Sequence, residues 1–260
     1  MKTRYPILLV HGAGIKNTFF TKAFGDIDRI LRIQGHDVYE SGCDGFGTVE
    51  NNAEQIRAEI QDILVRTGAD KVNIIAHSKG GLDSKYMIER LRMQDSVASL
   101  TTLCTPHGGS PIASGILRAP MWILRIIAFF LDLFFRILGD KHPDSFAVCG
   151  QLRRTDAATD TMGIEGVYCQ SFSSTVKKHA KKNDFVMSIP LAFSRYFEKN
   201  ADTDGLVPRE SAMYGIYRGD CLDGSVSHTE IIDFMVSKSK KDKIYAFYSS
   251  LCEELVNMGF

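Results

Sequence analysis

The sequence has no excess of charge of either sign, since Lys and Arg together number 31 and so do Asp and Glu. That balance gives no support to nucleic-acid binding through bulk electrostatics, and no basic-aromatic array argues for it locally. None of the six cysteines (Cys43, Cys104, Cys149, Cys169, Cys221, Cys252) stands in a CxxC pair or at Cys/His ligand spacing. Structural zinc is therefore disfavoured, and free, mostly buried thiols are expected. The opening stretch MKTRYPILLVHG enters an apolar strand at once and lacks the charged, apolar and small-residue succession of a Sec signal peptide. The expectation is a chain that is cytoplasmic or exported without such a signal. Internal repeats and low-complexity linkers are also missing. With 44% hydrophobic and 24% charged residues, the 260 residues read as one globular domain with a buried core.

What is present is an alternation. Residues 5–10, 36–39, 71–76 and 99–105 read as short strands. Residues 18–33 (Phe19, Phe20, Phe24, Ile27, Ile30, Leu31) and 51–66 (Ala53, Ile56, Ile60, Ile63, Leu64) carry helical spacing. A further helix runs through Tyr86, Ile88 and Leu91. Strands alternating with helices at these lengths predict a mostly parallel sheet covered on both faces. The rhythm breaks after residue 110 and resumes at 166–169, so 111–165 reads as an insertion riding on the sheet. Two lysine-rich runs, 177–182 and 238–243, read as solvated loops.

The stretch IIAHSKGGLDSKY carries the strongest chemical signal. A strand delivers Ala76-His77-Ser78-Lys79-Gly80 and a helix leaves at once. A serine on such a strained strand-to-helix turn needs small residues two before and two after it, because both are pressed against neighbouring backbone. Ala76 stands where glycine is usual, at the cost of one methyl group. The turn lifts the Ser78 hydroxyl above the sheet and aims the new helix's N-terminus at the reacting oxygen. His11-Gly12-Ala13-Gly14 follows the first strand, where a loop amide can complete an oxyanion hole. The Ala13 and Lys79 N–H groups are the two expected donors.

A serine hydroxyl is a weak nucleophile near neutral pH and needs a histidine to take its proton. The histidine in turn needs a carboxylate to fix its tautomer. Downstream, ADTDGLVPRE offers Asp202 and Asp204, and GSVSHTEIIDF offers His228 ahead of an apolar helix. Serine, acid, histidine is the chain order of an α/β-hydrolase triad. Among seven histidines the rival to His228 is His107, at a strand end. His11 reads as a structural residue.

Taken together, YPILLVHG, AHSKGGLDSKY, LCTPHGGSPIA and TDGLVP resemble the bacterial triacylglycerol lipases of the Pseudomonas and Proteus type. The likeness covers roughly residues 4–115 and two short islands, 200–208 and 225–231. It implies an α/β-hydrolase fold with Ser78 as nucleophile, Asp204 as acid, His228 as base, and Ala13 and Lys79 at the oxyanion hole. Asp202 then becomes a turn residue. Two features depart from those lipases. They often hold a structural calcium near the histidine loop, with an Asp two residues after the base; here Glu230 stands there, and Phe234 takes the place of a polar ligand. No cofactor is expected, with a structural calcium as the less favoured alternative. They often carry a disulfide beside the acid as well, and no cysteine lies close to Asp204 in sequence; nothing selects a pairing such as Cys169–Cys221.

The stretch APMWILRIIAFFLDLFFRIL, 119–138, is long enough to cross a bilayer. Arg125, Asp132 and Arg136 fall in one narrow stripe, with Asp132 and Arg136 an i, i+4 pair, and charges near the centre of a spanning helix cost at least about 2.5 kcal/mol each. A lid is the better reading. Its apolar face, Trp122, Ile126, Phe130, Leu133 and Phe134, is expected to lie over the serine with the charged stripe to water. Pro120 suits the helix start and Gly139 its end. The expected substrate is an ester with a medium to long acyl chain, met at a transient lipid interface. The rivals are an esterase or acyltransferase for shorter acyl groups and a catalytically silent membrane-associating module.

Overall fold

The computed structural model describes residues 2–18, 21–154, 162–176, 192, 202–223 and 226–260. Phe19, Phe20, His179, the lysine run 177–182 and the end of the expected insertion (155–161) lie outside the described residues.

Strand β1 (Ile7–Val10) shows why the sheet is covered twice. Its four residues are all buried. Ile7 and Leu9 join the cluster built with helices α1 (Ile27–Ile33) and α7 (Lys238–Asn257). Leu8 and Val10 join the cluster built with α2 (Val49–Thr67) and α3 (Lys79–Arg90). A period of two sends alternate side chains to opposite faces, so a strand buried on both must be apolar throughout. Six parallel strands run in the order β2-β1-β3-β4-β5-β6, with β2 at Val38–Glu40, β3 at Val72–His77, β4 at Val97–Leu103, β5 at Tyr168–Ser173 and β6 at Ile216–Asp220. The chain leaves β1 toward one edge and returns to build the other. The loops after β1 and β3 therefore part on opposite sides of the sheet, and the crevice between them is where such sheets bind ligands.

Helix α2 follows its sequence signals. Thr48 accepts a hydrogen bond from the Asn51 N–H at 3.3 Å, Ala53, Ile56, Ile60 and Ile63 are buried, and Gly68 closes it at φ +70°. Helix α1 is shorter than expected. Gly25 (φ +51°) turns the chain where Asp233 packs against it, and the Asp26 N–H donates to Asp233 Oδ2 at 3.1 Å. Phe24 thus reaches the core from a turn rather than from a helix. Two corrections fall at the C-terminal end. The apolar segment after His228 forms a single 3-10 turn, Glu230–Ile232, and the lysine run 238–243 opens α7 instead of forming a loop.

Between β4 and β5 lie α4 (Pro111–Ile116), α5 (Met121–Ile137) and α6 (Ser145–Gln151). No helix among the described residues is long and apolar enough to cross a membrane. Two loops clasp each other beyond the end of α5. Asp44 accepts the Lys141 and His142 N–H groups at 2.9 and 2.8 Å, and Asp140 accepts the Gly45 and Phe46 N–H groups at 3.0 and 2.9 Å. Lys16 adds its ammonium to Asp140 Oδ1 and to the Gly139 carbonyl, both at 2.9 Å.

Helix α5 also overturns two expectations. Asp132 does not pair with Arg136; its Oδ1 accepts the Ser145 N–H at 2.7 Å and joins α5 to α6. The face turned inward carries Leu124, Ala128 and Phe135, whereas the five residues expected over the serine point outward. Trp122 is 66% exposed and Phe130 63%, with Ile126, Leu133 and Phe134 exposed beside them. The helix is apolar around most of its circumference, so spacing alone does not say which side faces in.

Candidate active site

Ser78 sits at φ +54° and ψ −130°, between the end of β3 and the first residue of α3. A non-glycine residue there is strained, and close neighbours hold it in place. The Ser78 N–H donates to the Leu103 carbonyl at 2.9 Å. A Cβ on Gly80 would stand 2.4 Å from the His11 carbonyl oxygen, and one on Gly12 would stand 2.6 Å from the Ser78 Cβ. The small-residue rule of the elbow is thus a clearance requirement between the turn and the loop after β1.

The serine heads a hydrogen-bonded chain. Its Oγ lies 2.9 Å from His228 Nε2, and His228 Nδ1 lies 2.7 Å from Asp204 Oδ2. A carboxylate only accepts, so Nδ1 carries the ring proton and the Nε2 lone pair faces the hydroxyl. Asp204 is itself held, its Oδ1 accepting the Leu206 and Val207 N–H groups at 2.9 and 2.8 Å. His228 is tied from behind as well: its N–H donates to the Asp204 carbonyl at 3.1 Å, and His77 Nε2 donates to the His228 carbonyl at 2.9 Å. Burial drives the His77 pKa well down, so this ring is a neutral strut. Cys104, just past β4 at φ +54°, brings its thiol within 4.8 Å of ligand atoms on both Asp204 and His228.

The other candidates fall elsewhere. His107 stacks on Tyr214, faces Thr102 Oγ1 at 3.3 Å, and is pushed down to about 3 by burial and then by the Lys85 charge. Asp202 pairs with Arg209 at 2.6 Å and makes no contact with His228. His11 is buried and donates from Nδ1 to the Gly12 carbonyl at 3.0 Å.

Ala13 lines the cavity above Ser78, and Lys79 begins α3. Neither N–H has an acceptor among the described residues. For Lys79 this follows from its place, since the first N–H groups of a helix have no partner within it. The Lys79 side chain turns away, fully buried, and its ammonium bonds both Asp83 oxygens at 2.6 and 2.8 Å. Asn52 Nδ2 completes the pair at 2.9 Å. Burial pushes the Asp83 carboxyl up to about 6 against the opposing pull of the Lys79 ammonium. Sequence reading missed this buried pair; its trace is the i, i+4 spacing of a lysine and an aspartate on an otherwise small, apolar turn.

Above the serine is a cavity of about 600 Å³ whose lining includes Ile112 and Ile116 of α4, Leu124 and Leu131 of α5, and Phe146 of α6. Leu124, Ile127, Ala128 and Leu131 stand at i, i+3, i+4 and i+7, a row present in the sequence but indistinguishable there from the equally apolar row behind it.

A strained serine at the switch point of a parallel sheet, with an acid and a histidine arriving from later loops, defines the class as an α/β-hydrolase. Within that class the chain belongs to the palmitoyl protein thioesterase family, whose model matches residues 6–201. It is also similar to a triacylglycerol lipase of Pseudarthrobacter phenanthrenivorans, 34% identical over an alignment of 170 residues, covering 61% of this chain and 53% of that protein. A second relative, triacylglycerol lipase 2 of Saccharomyces cerevisiae, is 26% identical over 254 residues, covering 90% of this chain and 73% of that one. The chain spans about half the length of the first two curated relatives it matches, 53% and 47%. The crystal structure of Staphylococcus hyicus lipase shares the fold, with a TM-score of 0.71 over 98% of this chain and 96% of that one at 14% identity.

Proposed function

We propose that this protein is a serine hydrolase of lipid carboxylic esters with medium to long acyl chains, acting as a triacylglycerol lipase through an acyl-enzyme. The observation that carries the reading is the continuous Ser78–His228–Asp204 chain at the floor of an apolar cavity. Ser78 Oγ attacks the ester carbonyl carbon while His228 Nε2 takes its proton, and the Ala13 and Lys79 N–H groups receive the oxyanion. Collapse of the tetrahedral adduct breaks the bond to the alcohol, which leaves with the proton from His228. Water then repeats the sequence on the acyl-serine and regenerates the hydroxyl. Asp204 keeps the imidazole in the receptive tautomer and favours the imidazolium that forms.

Helices α4 to α6 roof the cavity, and the outward face of α5 meets a lipid surface. Trp122, Phe129 and Phe130 make an exposed aromatic patch, flanked by the exposed Arg125 and Arg136, of the kind that seats in a headgroup boundary. A second substrate reading has a specific observation behind it. The family match is to a thioesterase, and the same acyl-enzyme chemistry cleaves an acyl thioester.

Stoichiometric labelling with a fluorophosphonate, mapped by mass spectrometry, tests the nucleophile; modification elsewhere than Ser78 removes the mechanism. Ester and thioester series of increasing acyl length, with and without an oil interface, then assign the substrate. A maximum at short, soluble esters overturns the lipase reading in favour of an esterase.

A further inference from the structure

Helix α7 opens against its own dipole. Four of its first six residues are lysines (Lys238, Lys240, Lys241, Lys243), no acidic residue stands in the first turn, and Ser237 makes no side-chain cap. Cations at a helix N-terminus are unfavourable, and the positive end of the helix repels them. Something must hold them there, and the partners are buried carboxylates on the loop that carries His228.

Glu230, two residues after the base, is 2% exposed. Its Oε2 accepts the N–H of Ser227, the residue before the base, at 3.0 Å. Lys240 Nζ reaches Glu230 Oε1 and Oε2, both at 2.7 Å. Asp233, at φ +60°, is buried as well: Oδ2 accepts the Asp26 N–H at 3.1 Å and the Tyr245 hydroxyl at 2.8 Å. Lys241 Nζ lies 2.9 Å from Oδ1. Buried carboxylates without a counter-charge are costly, so the segment from Ser227 to Asp233 keeps its shape only while two cations face it.

We propose that Lys240, with Lys241 beside it, is a positioning residue for His228: its ammonium is a built-in counter-cation that fixes the histidine loop where a divalent metal would otherwise be needed. This rests on the reading of Ser78–His228–Asp204 as the catalytic chain. A structural calcium of the kind the lipase resemblance implies does not fit these residues. Calcium takes six to eight oxygen ligands, and the Glu230 and Asp233 oxygens already face ammonium, amide and hydroxyl donors. Among the described residues, the one cluster of three metal-ligand side chains is Cys104, Asp204 and His228, which includes neither of them.

The experiment compares the full chain with K240M, K240R, E230Q and the E230Q/K240M double variant on a soluble short-chain ester, with chelator or with added calcium. The wild type keeps its rate in chelator. K240M loses about tenfold in kcat with little change in KM, and K240R restores most of it. Calcium chloride recovers part of the K240M loss, because the stranded carboxylate gains another cation. The double variant outperforms K240M, since a neutral amide at 230 still accepts the Ser227 N–H and needs no counter-charge. Inactivation of the wild type by chelator overturns the proposal, as does wild-type kcat in K240M. If K240M does not fold, the double variant decides: recovery of folding and rate supports the proposal, and a fold that stays lost overturns it. Fluorophosphonate labelling separates the two levels. Failure to label Ser78 in the wild type sinks the catalytic reading itself, whereas normal labelling with no effect of K240M sinks only the role of the lysine.

Discussion

The floor and the roof of the cavity are built on opposite principles. On the floor, each reacting group has a polar partner behind it: Asp204 has two backbone amides, His228 has Asp204 and the His77 strut, and Ser78 has the strained turn held by Leu103 and Gly80. The roof is apolar on both sides, with directed bonds at Asp132–Ser145 and at the Asp44/Asp140 clasp. Directional bonds fix atoms to within fractions of an ångström, as proton transfer requires. Apolar contacts fix only a volume, which is what a variable acyl chain requires.

The sharpest way to break the comparison is to remove the proposed nucleophile or base from the floor. S78A and H228A are expected to lower kcat on any ester by about four to six orders of magnitude, and D204N by about four, whereas D202N leaves the rate close to wild type. Steady-state rates on a soluble ester measure all four. Substitutions on the roof should divide by face. W122S combined with F130S, on the outer face, is expected to lower turnover of emulsified long-chain ester by about tenfold and to spare soluble ester. L131F, on the inner face, should instead shorten the preferred acyl chain; profiles that fail to separate in this way collapse the two-faced description of α5.

The clasp gives a smaller effect. Burial raises the Asp44 carboxyl, but the Lys141 and His142 N–H groups and the other donors around it more than offset that, leaving it below the ordinary carboxylate value. D44N is expected to cost about 1–3 kcal/mol, read from urea denaturation. The smallest test concerns pH. His11, His77 and His107 are all held neutral by burial, with pKa values below 6.5 in the fold. Below that value the unfolded chain takes up protons the folded one refuses, so stability falls as the solution is acidified. Each histidine contributes a slope of up to about 1.4 kcal/mol per pH unit. Asp83 opposes this between its folded value of about 6 and its unfolded value of 3.8, where the fold holds the extra proton. H107F should flatten the acid limb of a denaturation series.

Most of the floor was legible in the sequence because its rules are local. Strand β1 announces itself by four consecutive apolar residues, and the elbow by the small side chains that clearance demands at 76 and 80. The short reading of β5 follows from its polar residues, since Gln170, Ser171 and Ser173 bond to Thr101, the Tyr214 N–H and Tyr217; β6 is exposed or half-buried along its whole length and ends in Arg218, Gly219 and Asp220, so no apolar run marks it. The over-long α1 reflects Phe24 reaching the core from a turn. The facing of α5 was illegible because orientation is set by what packs on a helix, and both rows of its side chains are greasy. The lysines of α7 looked like solvent-facing charge because their partners, Glu230 and Asp233, lie several residues back along the chain.

The clasp beyond α5 has a mechanical consequence. Asp44 and Asp140 each grip two amides of the other's loop just beyond Gly139, so four directed bonds join that end of α5 to the loop after β2. A pull on α5 is therefore resisted at its Gly139 end, where the load passes directly into the loop after β2.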